Sequence, residues 1–561
     1  MKILALILVC LLTVSSGHSQ CYNTNKKVMV LGDSWAAFSW EYDSYSINFD
    51  KFGLTDMEAY STGAGVSAGN ADQELSQSGT EARNYLTQDK KDAIAIAFSQ
   101  YPEIEFVHIS LAGNDFLGDW DTTWTTSQID AFSIPVIDSI LSIVSYIESV
   151  KPDVTFLMSG YDYPNFEESI NDFFIPNQHP FYARWNSMLQ PSFAQINGML
   201  RYVHAKVDSV SNQFPNMYFV DNAGLMQYRF GQTYNLPVAP GGSFPPMSVP
   251  FPGGDSTYPS PLVSMNSYPG FKDAFHLSPL GYEYFVENQT KEFYFEKLRD
   301  YDATVSAIAL GSGSINENLV LSDSLFIGNV NDEENSGYLT FVLPTLDATK
   351  EIDHLSIFLK RKAKIGMSPI GSVPVNVGIS RGSLGDGYSL DVNDYQTIFI
   401  ENHVACEVGS VAQNDYWYRL DLGPFQFANY QSNDTLQIQI NFSGLGDSAN
   451  QAIQFYLNEN NESQPFLDVH YGQLVSIENQ QLSLSIKLSP NPTDGYTFLD
   501  FQQRFSGMLK IYDISGKIVL SEQIVNQQNY KLDGSKFSKG LYILKATSKD
   551  NDTFESKLII R

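Results

Sequence analysis

The residues best suited to chemistry in this chain are a serine, a histidine and an aspartate that lie far apart in sequence. Gly32-Asp33-Ser34 directly follows the apolar run Lys27-Val28-Met29-Val30-Leu31, where a sharp turn could present the hydroxyl at a sheet edge. A serine hydroxyl becomes nucleophilic beside a base, normally an imidazole oriented by a carboxylate. The same tripeptide recurs at 254–256 and 446–448, so alone it says little. The chain has eight histidines, few enough for elimination. His18 lies in an N-terminal leader, and His354, His403 and His470 fall in a β-rich half. His108 sits inside a strand run, where a packed role is the default. His179 and His204 lack an acidic residue three positions earlier. His276 has one, in Asp273-Ala274-Phe275-His276, and a short turn can bring residues i and i+3 together, so Asp273 could orient the imidazole.

Acyl transfer also needs donors for the developing oxyanion, each worth a few kcal/mol. Gly113-Asn114-Asp115 ends another apolar run and offers the Asn114 amide at the same sheet edge as Ser34. Ser78-Gly79-Thr80 stands before an expected helix at Glu81, where a backbone N–H can point toward an anion. Gly65 and Gly69 compete with Gly79 for that part. Asp33 and Asp115 read as turn residues, bonding the backbone through their side chains.

These turns need a scaffold. Apolar runs at 27–31, 104–111, 154–158 and 217–220 read as buried strands, and 81–100 and 137–150 have helical length and spacing. Strands separated by helices imply a parallel sheet covered on both faces, with chemistry at the carboxyl ends of its strands. Residues 237–269 hold nine of the 25 prolines with Phe244, Phe251, Tyr258 and Tyr268 among them. Such a long loop, ending just before Asp273, is expected to form an aromatic lid, or else to pack on its own aromatics.

Gly32-Asp33-Ser34, Gly113-Asn114-Asp115 and Asp273-x-x-His276, in this order, resemble blocks I, III and V of the SGNH (GDSL-type) hydrolases. The resemblance implies a three-layer α/β/α, flavodoxin-like domain over 20–300 and ester hydrolysis through an acyl-enzyme. It makes Ser34 the nucleophile, His276 the general base and then acid, and Asp273 its orienting carboxylate. The Ser34 N–H, the Gly79 N–H and the Asn114 side chain would form the oxyanion hole. Trp35 stands where many members have leucine, and block II is not cleanly matched.

After residue 302 short alternating runs separate Asn/Asp/Gly-rich turns, the pattern of a β-sandwich over 303–472. Its opening resembles DNRLRE-type modules of secreted bacterial proteins, which bind carbohydrate or act as spacers. Tyr416, Trp417 and Tyr418 could stack on sugar, although alternating aromatics in a strand more often belong to a core. The acidic turn Asn331-Asp332-Glu333-Glu334-Asn335 could ligate calcium, a solvated turn being the commoner case. A polar stretch at 473–484 reads as a linker. In 485–561, Leu488-Ser-Pro-Asn-Pro492, Ile511-Tyr-Asp-Ile-Ser-Gly-Lys517 and Gly540-Leu-Tyr542 resemble a C-terminal sorting domain of the type IX secretion system, a small Ig-like β-sandwich. That resemblance implies a Bacteroidetes-like bacterium, recognition by its secretion machinery, and export across periplasm and outer membrane to the surface or medium.

Composition bounds the rest. The 561 residues carry 34 Lys+Arg against 63 Asp+Glu, a net charge of −29, which argues against nucleic acid and anionic membranes as partners. Residues 481–561 alone hold 11 Lys+Arg and 8 Asp+Glu, so the tail is slightly basic and the acidity lies upstream. Residues 1–19 read as a cleaved secretory signal, and no later apolar stretch nears the roughly 20 residues of a membrane span. Only Cys21 and Cys406 remain after cleavage, with their pairing open. The expectation is a secreted serine esterase without cofactor or metal, acting on carboxylic esters, with acylated polysaccharide favoured by analogy. Lipase- or thioesterase-like action on lipid or small esters is the alternative. A surface carbohydrate-binding protein that has lost activity is the reading from another class.

Overall fold

The apolar runs of the first half become parallel strands, as runs without polar alternation must when both sheet faces are covered. The computed structural model describes residues 24–64, 74–232, 243–345, 350–371, 373–381, 389–396, 399, 401–408, 413–423, 433–445, 450–459, 461–473, 486–489, 491–493, 495–514, 516–549 and 553–561. The leader 1–19, Cys21, Gly65, Gly69, residues 237–242, the 446–448 tripeptide and linker residues 474–484 lie outside the described residues.

In chain order the first half comprises β1 (Asn25–Gly32), α1 (Ser34–Glu41), α2 (Ser44–Lys51), β2 (Met57–Tyr60), β3 (Gly63–Ala64), β4 (Ser76–Gln77), α3 (Gln88–Gln100) and β5 (Phe106–Ser110). There follow α4 (Gly113–Asp119), α5 (Thr126–Val150), β6 (Thr155–Ser159), α6 (Phe166–Asp172), α7 (Tyr182–Ser187), α8 (Phe193–Ser211), β7 (Met217–Val220) and α9 (Leu225–Phe230). The hairpin β8 (Met265–Tyr268) and β9 (Phe271–Leu277) then leads into α10 (Pro279–Gln289). The sheet runs β3-β4-β1-β5-β6-β7, with β2 also on β1, and its pairs are parallel. Gly32 pairs with Ser110, so the turns after β1 and β5 emerge side by side. A Cβ on Gly32 would stand 2.2 Å from the Ser110 carbonyl oxygen, so this close approach requires glycine.

Two helices differ from expectation. Residues 81–100 divide into a 3₁₀ turn (Ala82–Leu86) and α3, because the buried Tyr85 hydroxyl is drawn onto the Gly32 and Leu75 carbonyls, at 2.6 and 2.5 Å. α5 starts at a Thr125–Gln128 capping box and runs through Pro135, well before the expected Ile137. With a mean hydropathy of 1.5, α5 is long and apolar enough to cross a membrane, which its interspersed serines and aspartates had masked. Its buried Val136, Ile140, Ile143, Val144 and Ile147 recur every three or four residues, and the helix packs on α3. That is the one-sided apolar stripe by which an amphipathic helix lies on a core.

The chain divides into two units, 1–472 and 473–561. The first also contains a 13-stranded antiparallel sheet. Its long strand Lys350–Gly366 pairs first with Trp417–Leu422 and then with Asn450–Phe455, wrapping the sheet around a core of Leu339, Ile357, Leu420 and Ile438. The joint with the parallel sheet is packed: Phe295 meets Phe358, Trp417 and Phe466. Arg299 pairs with Asp468 and Arg419 with Asp56, each at 2.8 Å. Trp417 and Tyr418 are only 6% and 3% exposed, so they belong to cores rather than to a sugar platform. In the acidic turn, Glu333 accepts from the Asn316 and Asn318 amides. Cys406 is disulfide-bonded, and the other two cysteines, Cys10 and Cys21, lie outside the described residues. The second unit is a five-stranded antiparallel sheet with its own core, including Leu499, Leu509, Ile511, Leu544 and Leu558.

Candidate active site

Asp33 caps α1 through the Trp35 N–H at 2.9 Å, which leaves Ser34 as the first helical residue. Its own N–H is therefore among those that a helix start leaves without an intrahelical partner. Trp35, in the position noted above, is fully buried edge-on against Tyr161, Tyr282 and Phe285. It wedges the turn that carries Ser34 against α10.

The Asp273-x-x-His276 turn lies within β9. Asp273 is buried, and its Oδ1 accepts the Phe275 and His276 backbone N–H groups at 2.7 and 2.9 Å. Oδ2 lies 2.9 Å from His276 Nδ1. A carboxylate receiving these donors fixes the tautomer with the proton on Nδ1, leaving Nε2 as an acceptor. Nε2 stands 2.8 Å from Ser34 Oγ. Phe38, Phe275 and Phe181 flank the imidazole, with ring centroids 5.2, 5.5 and 6.1 Å away. Serine, imidazole and carboxylate, 242 and 3 residues apart, thus form one hydrogen-bonded line.

Asn114 opens α4 beside this line. Its Nδ2 donates to Asp33 Oδ2 at 3.3 Å and to the Thr80 carbonyl at 3.2 Å. The second contact brings the turn containing Gly79, whose φ is +78°, next to Asn114. Asp33 is fully buried, and burial pushes its carboxyl up to about 7. Asp115, raised to about 6 mainly by burial, bonds its own backbone N–H and also accepts the Ala82 N–H at 3.1 Å, so it ties α4 to the 3₁₀ turn as well as holding its own turn.

The other histidines of the parallel-sheet half divide as follows. His108 is buried between the Tyr45 hydroxyl (2.5 Å) and Ser159 Oγ (2.8 Å), and burial lowers its pKa to about 3. His204 pairs with Asp221 at 3.0 Å, a second histidine–aspartate pair that a three-residue spacing rule misses. His179 accepts the Phe181 N–H at 3.1 Å and reaches the Lys272 carbonyl at 2.9 Å, pinning the segment that carries Phe181 to β9.

Over its described residues, 243–269, the proline-rich loop is bound down rather than standing free as the expected lid. Asn197, Gln227 and Asn165 bind its carbonyls at Ser256, Tyr258, Asp255, Pro259 and Ser260. Phe244 packs on Tyr258, and Phe251 stacks on Tyr228. Its final hairpin leads into the strand that carries the histidine, and there Tyr268 stacks on Phe271 and Asn266 bonds the Tyr42 hydroxyl. The aromatic wall beside His276 comes instead from Phe38 and from Phe181, just before α7. Sequence reasoning also passed over Tyr161, whose hydroxyl donates to Asp33 Oδ2 at 2.7 Å. Its signal was position, just beyond the carboxyl end of β6.

Residues 487–561 match the family model of the secretion system C-terminal sorting domain. The tail is thus a type IX sorting domain, marking the protein for export to the cell surface or extracellular space. Among curated proteins, the chain is similar to an ulvan lyase of Nonlabens ulvanivorans, 32% identical over 88 residues, 15% of this chain and 16% of that protein. The chain therefore spans about a sixth of that relative's length. Among solved structures, a family 3 carbohydrate esterase of Clostridium thermocellum is 16% identical, with 49% of this chain and 100% of that one covered at a TM-score of 0.25. One from Talaromyces cellulolyticus is 11% identical, with 48% and 99% covered at 0.27. At such scores these likenesses carry no weight below.

Proposed function

We propose that the protein is an exported serine ester hydrolase of the SGNH type. The observation that supports this reading is the Ser34–His276–Asp273 line, with contacts of 2.8 and 2.9 Å. Ser34 Oγ attacks the ester carbonyl as its proton passes to His276 Nε2, and Asp273 stabilises the resulting imidazolium. The oxyanion is met by the Ser34 N–H, the Asn114 amide and the Gly79 N–H. His276 then returns the proton to the leaving alkoxide, and a water activated by the same imidazole releases the acid. Export makes extracellular esters the substrate pool, with acyl groups on polysaccharide the favoured class and lipid or small esters the alternative. DNRLRE-type character of 303–472 is part of the same proposal, as a spacer. Hydrolysis of acetyl, butyryl and long-chain nitrophenyl esters and of acetylated polysaccharide tests it. The wild type should release acid from at least one of these and Ser34→Ala from none. Equal activity in both, or none in folded wild type, would reject the reading in favour of a binding protein.

A further inference from the structure

The oxyanion donor is held by a partner that the reaction itself does not use. Asp33 is fully buried, and the groups bonded to it are donors: the Trp35 N–H on Oδ1, and the Tyr161 hydroxyl and Asn114 amide on Oδ2. Tyr161 bridges the two motif turns. Its hydroxyl gives its proton to Asp33 at 2.7 Å and accepts the Gly113 N–H at 3.1 Å. Gly113 lacks a side chain where a Cβ would come within 2.9 Å of the Tyr161 ring, so the ring can lie against the start of α4. At its other end the Tyr161 N–H is fixed on His204 Nε2 at 3.0 Å, and the ring packs edge-on against Trp35. The tyrosine has little room to move.

We infer that Tyr161 and Asp33 are positioning residues that aim the Asn114 amide at the oxyanion. This rests on the esterase reading above. A buried carboxylate must be satisfied by hydrogen bonds. The Thr80 carbonyl holds one Asn114 N–H at 3.2 Å, and with the tyrosine hydroxyl as close donor Asp33 Oδ2 holds the other only at 3.3 Å, so that second N–H can swing toward the forming oxyanion. Without the hydroxyl, Asn114 is the remaining donor to Oδ2, and the carboxylate draws the amide away from the reacting carbon. Tyr161 therefore acts through Asn114.

A double-mutant cycle on the full chain tests this. Tyr161→Phe should lower kcat by roughly 10- to 100-fold with KM within about twofold, the split expected for an interaction made in the transition state. In an Asn114→Ala background the same change should cost less than about twofold. Equal losses in both backgrounds, or no loss in the wild-type background, would overturn the inference. Should Tyr161→Phe fail to fold, Asp33→Asn carries the same cycle with the same two outcomes. Wild type inert toward every ester would remove the esterase reading and this inference with it. An active wild type with multiplicative losses would remove this inference alone.

Discussion

Two histidine–aspartate pairs of nearly equal length meet different fates in this molecule. His276 and Asp273 are 2.9 Å apart, and His204 and Asp221 are 3.0 Å apart. In both, Nδ1 faces the carboxylate, so in both Nε2 is the nitrogen left to accept. His276 Nε2 faces a hydroxyl that can give up its proton, and His204 Nε2 faces the Tyr161 backbone N–H, which cannot. The carboxylates differ too, Asp273 being 1% exposed and Asp221 31%. On the proposed reading the first dyad acts as a base because of what stands opposite its second nitrogen, and the other dyad is a bracket.

The largest expected effect comes from breaking the first pair at its imidazole. His276→Ala should reduce ester turnover by about 10⁵- to 10⁶-fold, measured as kcat on the best ester found. Asp273→Asn keeps the shape but disturbs the tautomer, and a loss near 10⁴-fold is expected. The second pair should respond in the opposite currency. His204→Gln should change kcat by less than about tenfold, yet lower unfolding stability by about 1–3 kcal/mol, the usual cost of leaving buried partners unpaired. Turnover lost at His204 with stability unchanged would erase the contrast.

The smallest effect concerns a third imidazole, His108, which burial holds neutral with a pKa near 3 against 6.5 unfolded. Below pH 6.5 the unfolded chain binds a proton that the folded chain refuses, so this group's contribution is complete above 6.5 and is lost as pH falls toward 3. In His108→Gln, Tm should fall less steeply over that interval than in the wild type. Parallel Tm profiles would show that His108 does not titrate in this way.

The dyads also mark how far sequence could see. β1, β5, β6 and β7 were legible because largely buried strands leave unbroken apolar runs. Asp273 and His276 were legible because their contact is local. Ser34 and Asn114 announced themselves as short turns at strand ends, and the parallel register of β1 and β5 does the rest. His204 and Asp221 lie 17 residues apart and carry no local signal. Tyr161 carried only a weak signal, its place just beyond the carboxyl end of β6, because its part depends on two turns that meet only once the sheet forms. The proline-rich loop was found by composition, but the Asn197, Gln227 and Asn165 amides that bind it down belong to distant elements.

The central claim is that Ser34 is a nucleophile activated by His276. Labelling the folded full chain with a fluorophosphonate and locating the adduct by mass spectrometry tests it most directly. A single phosphonyl adduct is expected on the peptide containing Ser34, abolished in Ser34→Ala and slowed at least about a thousandfold in His276→Ala. Absence of that adduct, or labelling at Ser34 that persists at the wild-type rate without His276, would contradict it.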